Sequence, residues 1–412
     1  MSSLEKMQEE KVINVDVIIV GGGIAGLYCA YLCRKDRPDW RVLVLEKNAM
    51  VGGRMGTYSF EGVPVAIGAG IGRQKKDKRL QRLLAEMQIP TTTFTAANGF
   101  SAELANVCQD VKKTFLFLKK TFQEQGMTFK DFARPLLGPQ AYKQFITCAG
   151  YTDYERAGAA DVFTHYSFQD NYATFEAIGV PWQQLLDKLV GAIGPHRIQT
   201  GATVVKIEQD NRHHYLVKTA AAGAIYRCAK VVLATTVEVV RRLCPKDHLY
   251  RQIHGQPFLR IYGKFTKRSM AVMKEYMLGQ RTVVVSGPIH KIITMNEAAG
   301  VVMVAYTDNA GALALKKFKA STKANRAMIC RLLERALGAP SHSLKLVAMV
   351  DFYWQNGTHY YAPLRGQRAA FIRAAQRPRK NFFVGGEMVS LHQGWVEGAL
   401  ESIDKIRTDL FF

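Results

Sequence analysis

The sequence predicts an α/β fold in which one largely parallel sheet, assembled from three separated segments, carries an inserted α+β domain. Three observations predict it. The run VDVIIV enters a triple glycine, then the helical LYCAYLCRK, then the strand WRVLVLEK; strand and helix alternate again from PWQQLLDKLVGAIG to AKVVLATT; and the last 32 residues repeat strand, glycine turn and helix. The boundaries that follow are 12–73, 181–257 and 378–412 for the discontinuous sheet domain, with 74–180 and 258–377 forming the insert.

The opening stretch VIIVGGGIAGLYCA belongs to an uncharged run of about 17 residues that could barely cross a bilayer core of about 30 Å as a helix. Its first half, however, is Val and Ile and stops at glycines, which marks a buried strand and a turn. The strand–helix–strand spacing then implies a right-handed crossover. Residues 74–150 carry helical periodicity, as in ELANVCQDVKKTFLFLKKTF. The segments GATVVKIEQD, HHYLVKTA and AKVVLATT read as strands. After PFLRIYGKF, the runs RTVVVSG, HKIITMN and VVMVAYT predict a second, mostly antiparallel sheet, with a helix at STKANRAMICRLLERALG.

Composition excludes several classes. With 48% hydrophobic residues and 34 glycines against 13 prolines, the 412-residue chain is neither disordered nor collagen-like. Its 56 Lys and Arg against 34 Asp and Glu leave a formal charge of +22, a field that draws polyanions and opposes diffuse cations such as polyamines. Seven cysteines without a CxxC pair predict no disulfide framework and a reducing, intracellular and cytoplasmic setting, with association with a virion or large assembly also compatible. Cys29 and Cys33 read as helix core and not as metal ligands. The N-terminal MSSLEKMQEEK lacks the features of a leader, and no transmembrane segment is expected.

Gly21, Gly23 and Gly26 form GxGxxG between a strand and a helix, with Ile24 and Ala25 opening that helix. This Rossmann-like arrangement provides a tight turn, close backbone approach to a pyrophosphate, and a helix N-terminus aimed at the anion. Glu46, followed by Lys47, stands twenty residues beyond Gly26, at the strand end where a carboxylate accepts from a ribose hydroxyl. The extension through Gly52, Gly53 and Arg54 to a third glycine-rich turn favours FAD over a nicotinamide cofactor, because the flavin half must be carried along the sheet edge.

With these motifs, GGR, TVVKI and VGGEMVSLHQGWVEGALESI, the sequence resembles the flavin-containing amine oxidoreductase superfamily of monoamine, polyamine and L-amino-acid oxidases. The resemblance covers the first 73 residues or so, the stretch from PWQQLL to VVLATT, and the chain from about Asp351. It implies a Rossmann-like FAD-binding domain with Arg54 beside the phosphates, the backbone of Val204 and Val205 against the adenine, and Gly386 and Glu387 on the ribityl chain. It also implies Val396 under the flavin edge, at a helix starting near Gly394 whose dipole favours the reduced anion. Tyr360 and Trp395 become the two aromatic walls of the substrate site, with Tyr361 an alternative to the first. His359 stands where relatives attached covalently through cysteine carry that cysteine, so the expectation is noncovalent FAD. Arg260 takes the position of a lysine that holds a water near the flavin, with Lys264 further along. An arginine can hold a water or a carboxylate but cannot act as a base.

The expected activity is FAD-dependent, hydride-abstracting oxidation of a small-molecule amine at its C–N bond, with oxygen as electron acceptor. Two alternatives stay open: a desaturase or porphyrinogen-oxidase type of enzyme on an apolar substrate, and a basic flavoprotein scaffold with little catalysis. Three basic clusters, 73–82, 316–323 and 365–380, support polyanion contact if they converge on one face.

Overall fold

Continuous Val and Ile place the strand Lys11–Val20 at the centre of a sheet covered on both sides, as parallel strands require. In this computed structural model, which describes residues 11–123, 126–220 and 224–411, Val17, Ile18 and Ile19 are fully buried. Nearly all of the N-terminal stretch weighed above as a leader lies outside the described residues. The strand pairs in parallel with Ala224–Leu233 on one side and Val42–Leu45 on the other, with Ile18 opposite both Val231 and Leu43. Seven strands make up this sheet. Alternation sends Val17 and Ile19 to one face, against the helices Ile24–Asp36, Trp182–Ile193 and Val396–Phe411, while Ile18 and Val20 face the helix Val237–Leu243.

The strand Ala224–Leu233 joins the three segments. Its first half pairs with Tyr215–Thr219, whereas its end, Val231 to Leu233, pairs in parallel with Phe382–Val384. The late glycine turn thereby arrives beside the early one.

The second sheet has six strands, in the order Leu346–Tyr361, Ile253–Phe265, Val301–Asp308, Lys291–Asn296, Thr282–Val284 and Gly99–Phe100. All of its pairings are antiparallel except the last. Its central strand begins at Ile253, ahead of the expected boundary at 258, and tolerates Pro257 because the register shifts between Gln256 and Phe258. A proline has no N–H for the ladder and is accommodated at such a bulge.

Two sequence expectations fail in the helical insert. The periodic run from Glu103 to Phe122 is two helices, Ala102–Ala105 and Val111–Thr121, and not one. Between them Cys108 is bonded to Cys148, so the chain does carry a disulfide, against the expectation of none. The odd count concealed one pair and five free, buried thiols, including Cys29 and Cys33. The cytoplasmic assignment loses the support it drew from unpaired cysteines. Phe115, Phe129, Phe145, Phe163 and Phe168 fill the core of the insert. No helix among the described residues is long and apolar enough to cross a membrane.

Candidate active site

One cavity of about 1750 Å³ runs from the first glycine turn to the face of the second sheet. That exceeds the roughly 300–1,000 Å³ of a site for a single small ligand. At one end the helix Ile24–Asp36 begins at Gly23 with no side-chain cap and no acid in its first turn. Its free N–H groups and dipole therefore face the cavity uncompensated. Gly21, Gly23, Ile24 and Ala25 line that end, and Gly26 packs behind it: a Cβ at Gly26 would lie 1.9 Å from the Gly21 carbonyl, one at Gly23 would meet no atom within 4 Å. The first glycine is needed for packing, the second leaves room for a ligand.

Glu46 is buried; one carboxylate oxygen accepts from the Gly22 N–H at 2.7 Å and the other from Asn48 N–H at 2.9 Å. Each oxygen keeps a lone pair for a hydroxyl. Lys47 and Gly53 complete this wall. These features fit the adenosine and pyrophosphate half of FAD. Val204 lines the cavity, whereas the Val205 side chain points outward at 45% exposure, which leaves only its backbone to face this space.

Midway, Arg54 donates to the Glu387 carboxylate at 2.7 Å and to the Gly357 carbonyl at 2.9 Å. Glu387 also meets His359 Nδ1 at 2.5 Å and accepts from the Gly394 N–H at 2.8 Å. Burial pushes Glu387 up, but His359 and Arg54 outweigh it and hold the carboxyl well below its ordinary range. Glu387 is thus shared among three protein donors. His359 is itself buried, with Nε2 accepting from the Val237 N–H at 3.4 Å. Gly386 and Val396 line the same stretch, and the last helix starts at Val396, two residues beyond the expected Gly394.

Trp395 lies on the cavity wall, locked by its indole N–H donating to Asp77 at 2.8 Å and by an edge contact with Trp182 at 6.1 Å. Tyr360 does not reach the cavity. It lies past a register irregularity that separates it from Trp354, stacked on His254 at 5.2 Å and beneath Arg156. Tyr361 is buried in the sheet-domain core, its hydroxyl donating to the Ser390 carbonyl. Among the other aromatic residues that line the cavity is Trp354, whose indole N–H donates to the Ile67 carbonyl at 2.8 Å.

At the far end Arg260 is buried over the Tyr306 ring, 4.4 Å from its centroid, while Lys264 leaves the cavity and donates to the Ala299 carbonyl. Sequence reasoning missed the remaining groups here. Lys291 lies over Tyr151 at 3.7 Å; burial pushes its ammonium down to about 7, although Asp153 and Asp308 oppose the shift. Asp153 accepts from the Tyr166 hydroxyl, and burial first, then Asp308, pushes it up to about 7. A lysine opening the otherwise apolar strand HKIITMN was the one available signal.

Part of each basic cluster is used inside the molecule. Arg73 and Lys76 pair with Asp170, Arg79 with Glu397 and Asp404, and Arg368 with Asp161, while Arg377 and Arg379 bond Asp409 and Asp247. Among the described residues no cluster of His, Cys, Asp and Glu is arranged to hold a metal.

A sequence profile of the flavin containing amine oxidoreductases matches residues 24–402. Wild-type putrescine oxidase bound to putrescine superposes with a TM-score of 0.74 at 16% identity, covering 97% of this chain and 100% of that one. A double mutant of that enzyme gives 0.75 with the same coverage. At that identity the likeness establishes the fold. Curated relatives match only short stretches: thiamine thiazole synthase of Uromyces fabae is 53% identical over 45 residues, 11% of this chain and 13% of that protein. An uncharacterized protein of Acanthamoeba polyphaga mimivirus is 40% identical over 48 residues, 12% and 9% of the two chains. The chain therefore spans about a tenth of the length of these relatives.

Proposed function

The chain belongs to the flavin-containing amine oxidoreductases, and from that premise we propose that it holds FAD noncovalently and oxidises an amine at the carbon bearing nitrogen, with oxygen as final acceptor. The observation that carries this reading is the continuity of one cavity from the uncapped helix start at Gly23 to the aromatic and charged wall around Tyr306. When bound, the flavin supplies the hydride acceptor.

The residues do the rest. The N–H groups at Ile24 and Ala25 receive the phosphates, and the spare lone pairs of Glu46 receive the ribose. Arg54 and Glu387 tie the first and last glycine segments together around the middle of the cofactor. The start of the final helix at Val396 favours negative charge nearby. Both nitrogens of His359 are engaged within the fold, which supports a noncovalent cofactor.

On the substrate side, Trp395 and Trp354 are held by bonds to Asp77 and Ile67 and so present fixed apolar faces. Asp153, shifted up to about 7 and lining the same cavity, can take the proton of an arriving ammonium and leave the free amine that oxidation requires. Buried charge on this wall disfavours a purely apolar substrate. The test is anaerobic addition of a panel of amines to the purified yellow protein: bleaching of the flavin by an amine, with recovery on admitting air, is expected. A colourless protein that takes up no FAD, or a flavin that no amine reduces, overturns the reading.

A further inference from the structure

Strand register places four cavity-lining residues in one row across the second sheet. Arg260 is opposite Phe352 on one side and Tyr306 on the other, and Tyr306 is in turn opposite Lys291. Two cations therefore flank one tyrosine on adjacent strands, about 10 Å apart at the backbone by the usual strand spacing. Each lies on an aromatic ring, Arg260 on Tyr306 at 4.4 Å and Lys291 on Tyr151 at 3.7 Å, and the two rings meet edge to face at 5.5 Å.

Arg260 is 5% exposed and Lys291 3%. Among the described residues no carboxylate oxygen lies within 4.0 Å of either. The polar contacts of Arg260 are to neutral groups, the Ala66 carbonyl and the Tyr262 hydroxyl, both at 3.5 Å, the outer limit of a hydrogen bond, and the Tyr306 phenol beside them. An arginine stays charged at any working pH, and a tyrosine face compensates only part of a buried charge. Asp153 offsets Lys291 electrostatically, whereas Arg260 has no acidic counterpart of that kind. Gly70 adds to the opening, since a Cβ there would crowd the guanidinium at 3.1 Å. The planar fork of an unpaired guanidinium facing a cavity matches a carboxylate in shape and in charge.

We infer that the Arg260–Tyr306–Lys291 row is a carboxylate-binding subsite, so that the amine oxidised here carries a carboxylate, as an amino acid does and a diamine does not. Arg260 is the anchor and Lys291 the second charge. The inference rests on the amine-oxidising reading for the word substrate; the anion site itself stands on the row alone. It also agrees with the +22 formal charge, which opposes an approaching diamine.

The probes are 3-phenylpropanoate and its neutral amide, chosen because the cavity wall is aromatic, titrated into the flavin-loaded protein and followed by the visible flavin spectrum and by calorimetry. The wild type is expected to bind the acid at least tenfold more tightly than the amide. In R260Q that preference falls below about twofold, with flavin content retained and amide affinity within about threefold of wild type; K291M loses part of the preference. Equal affinities in the wild type, or a preference that survives in R260Q, overturn the proposal. Should R260Q fail to fold, R260K is expected to keep a reduced preference, and the wild-type ratio decides by itself. Should the protein hold no flavin, the oxidase reading falls, while calorimetry of the same protein still reads the carboxylate preference.

Discussion

Arg54 and Glu387, 333 positions apart in the sequence, meet at 2.7 Å. Glu387 is almost fully buried and Arg54 about one third exposed, so removing the carboxylate leaves a half-enclosed guanidinium and a buried histidine without their anion. E387Q is expected to cost about 3 kcal/mol, the low end for breaking a buried pair. It should also weaken flavin retention, read by the ratio of visible to ultraviolet absorbance after gel filtration. The pH dependence has a definite sign. The folded carboxyl is depressed below the ordinary 4.5, so its contribution is fully present above that value and is lost as pH falls below it. The gap in melting temperature between wild type and E387Q should therefore narrow in acid and stay constant above about pH 5.

The two glycines of the first turn should fail differently. In G26A the added methyl would sit 1.9 Å from the Gly21 carbonyl, so the turn must open and soluble protein should be lost. In G23A the backbone is extended and the methyl meets nothing, so the fold should survive with a melting temperature near wild type. That methyl instead occupies ligand space. A tenfold or greater weakening of FAD binding is expected, measured by reconstitution of the apoprotein.

Trp395 tests whether the aromatic wall must be held in place. W395F keeps an aromatic face but leaves Asp77 without its indole donor, a loss of about 1 kcal/mol for a buried hydrogen bond. W395A removes the face as well. Turnover should fall in the order wild type, W395F, W395A with flavin content constant. An equal fall of flavin content in both variants would assign Trp395 to the cofactor cradle alone.

Lys291 and Asp153 give opposite slopes to stability. Asp153, raised to about 7 from an ordinary 3.8, binds more protons folded than unfolded between those values, so stability falls as pH rises through that window. Lys291, lowered to about 7 from 10.5, binds fewer when folded, so stability recovers as pH rises toward 10.5. Relative to a D153N/K291M double variant, the wild type should be least stable near pH 7. Thermal melts from pH 5 to 9 read this minimum, and parallel curves for the two proteins would remove these groups from the titration.

What the sequence made legible was local. Gly21, Gly23, Glu46, Arg54 and Glu387 are singled out by glycine spacing and strand ends, and the fold brings all five to one cavity. Trp395 was readable through its glycine neighbours. Tyr360 lies outside the cavity lining, past a register irregularity in its strand that nearest neighbours do not announce. Lys291, Asp153 and Asp77 carry no pattern: strand register and the path of the helical insert bring them together, and neither is written in nearest neighbours. The Cys108–Cys148 bond was hidden for a similar reason, since pairing depends on which helix ends meet.

The parallel pairing of Phe382–Val384 with the end of Ala224–Leu233 has a consequence for how the chain is made. The ribosome delivers the first glycine turn early and the segment bearing Gly386, Glu387 and Trp395 hundreds of residues later, after the whole helical insert and second sheet. During that interval the early turn lacks the late segment that meets it, and the Val231–Leu233 edge of the strand Ala224–Leu233 stays open to wrong pairing. Completion of the cavity is thus coupled to release of the finished chain, and a nascent chain stalled before Phe382 should be prone to aggregate.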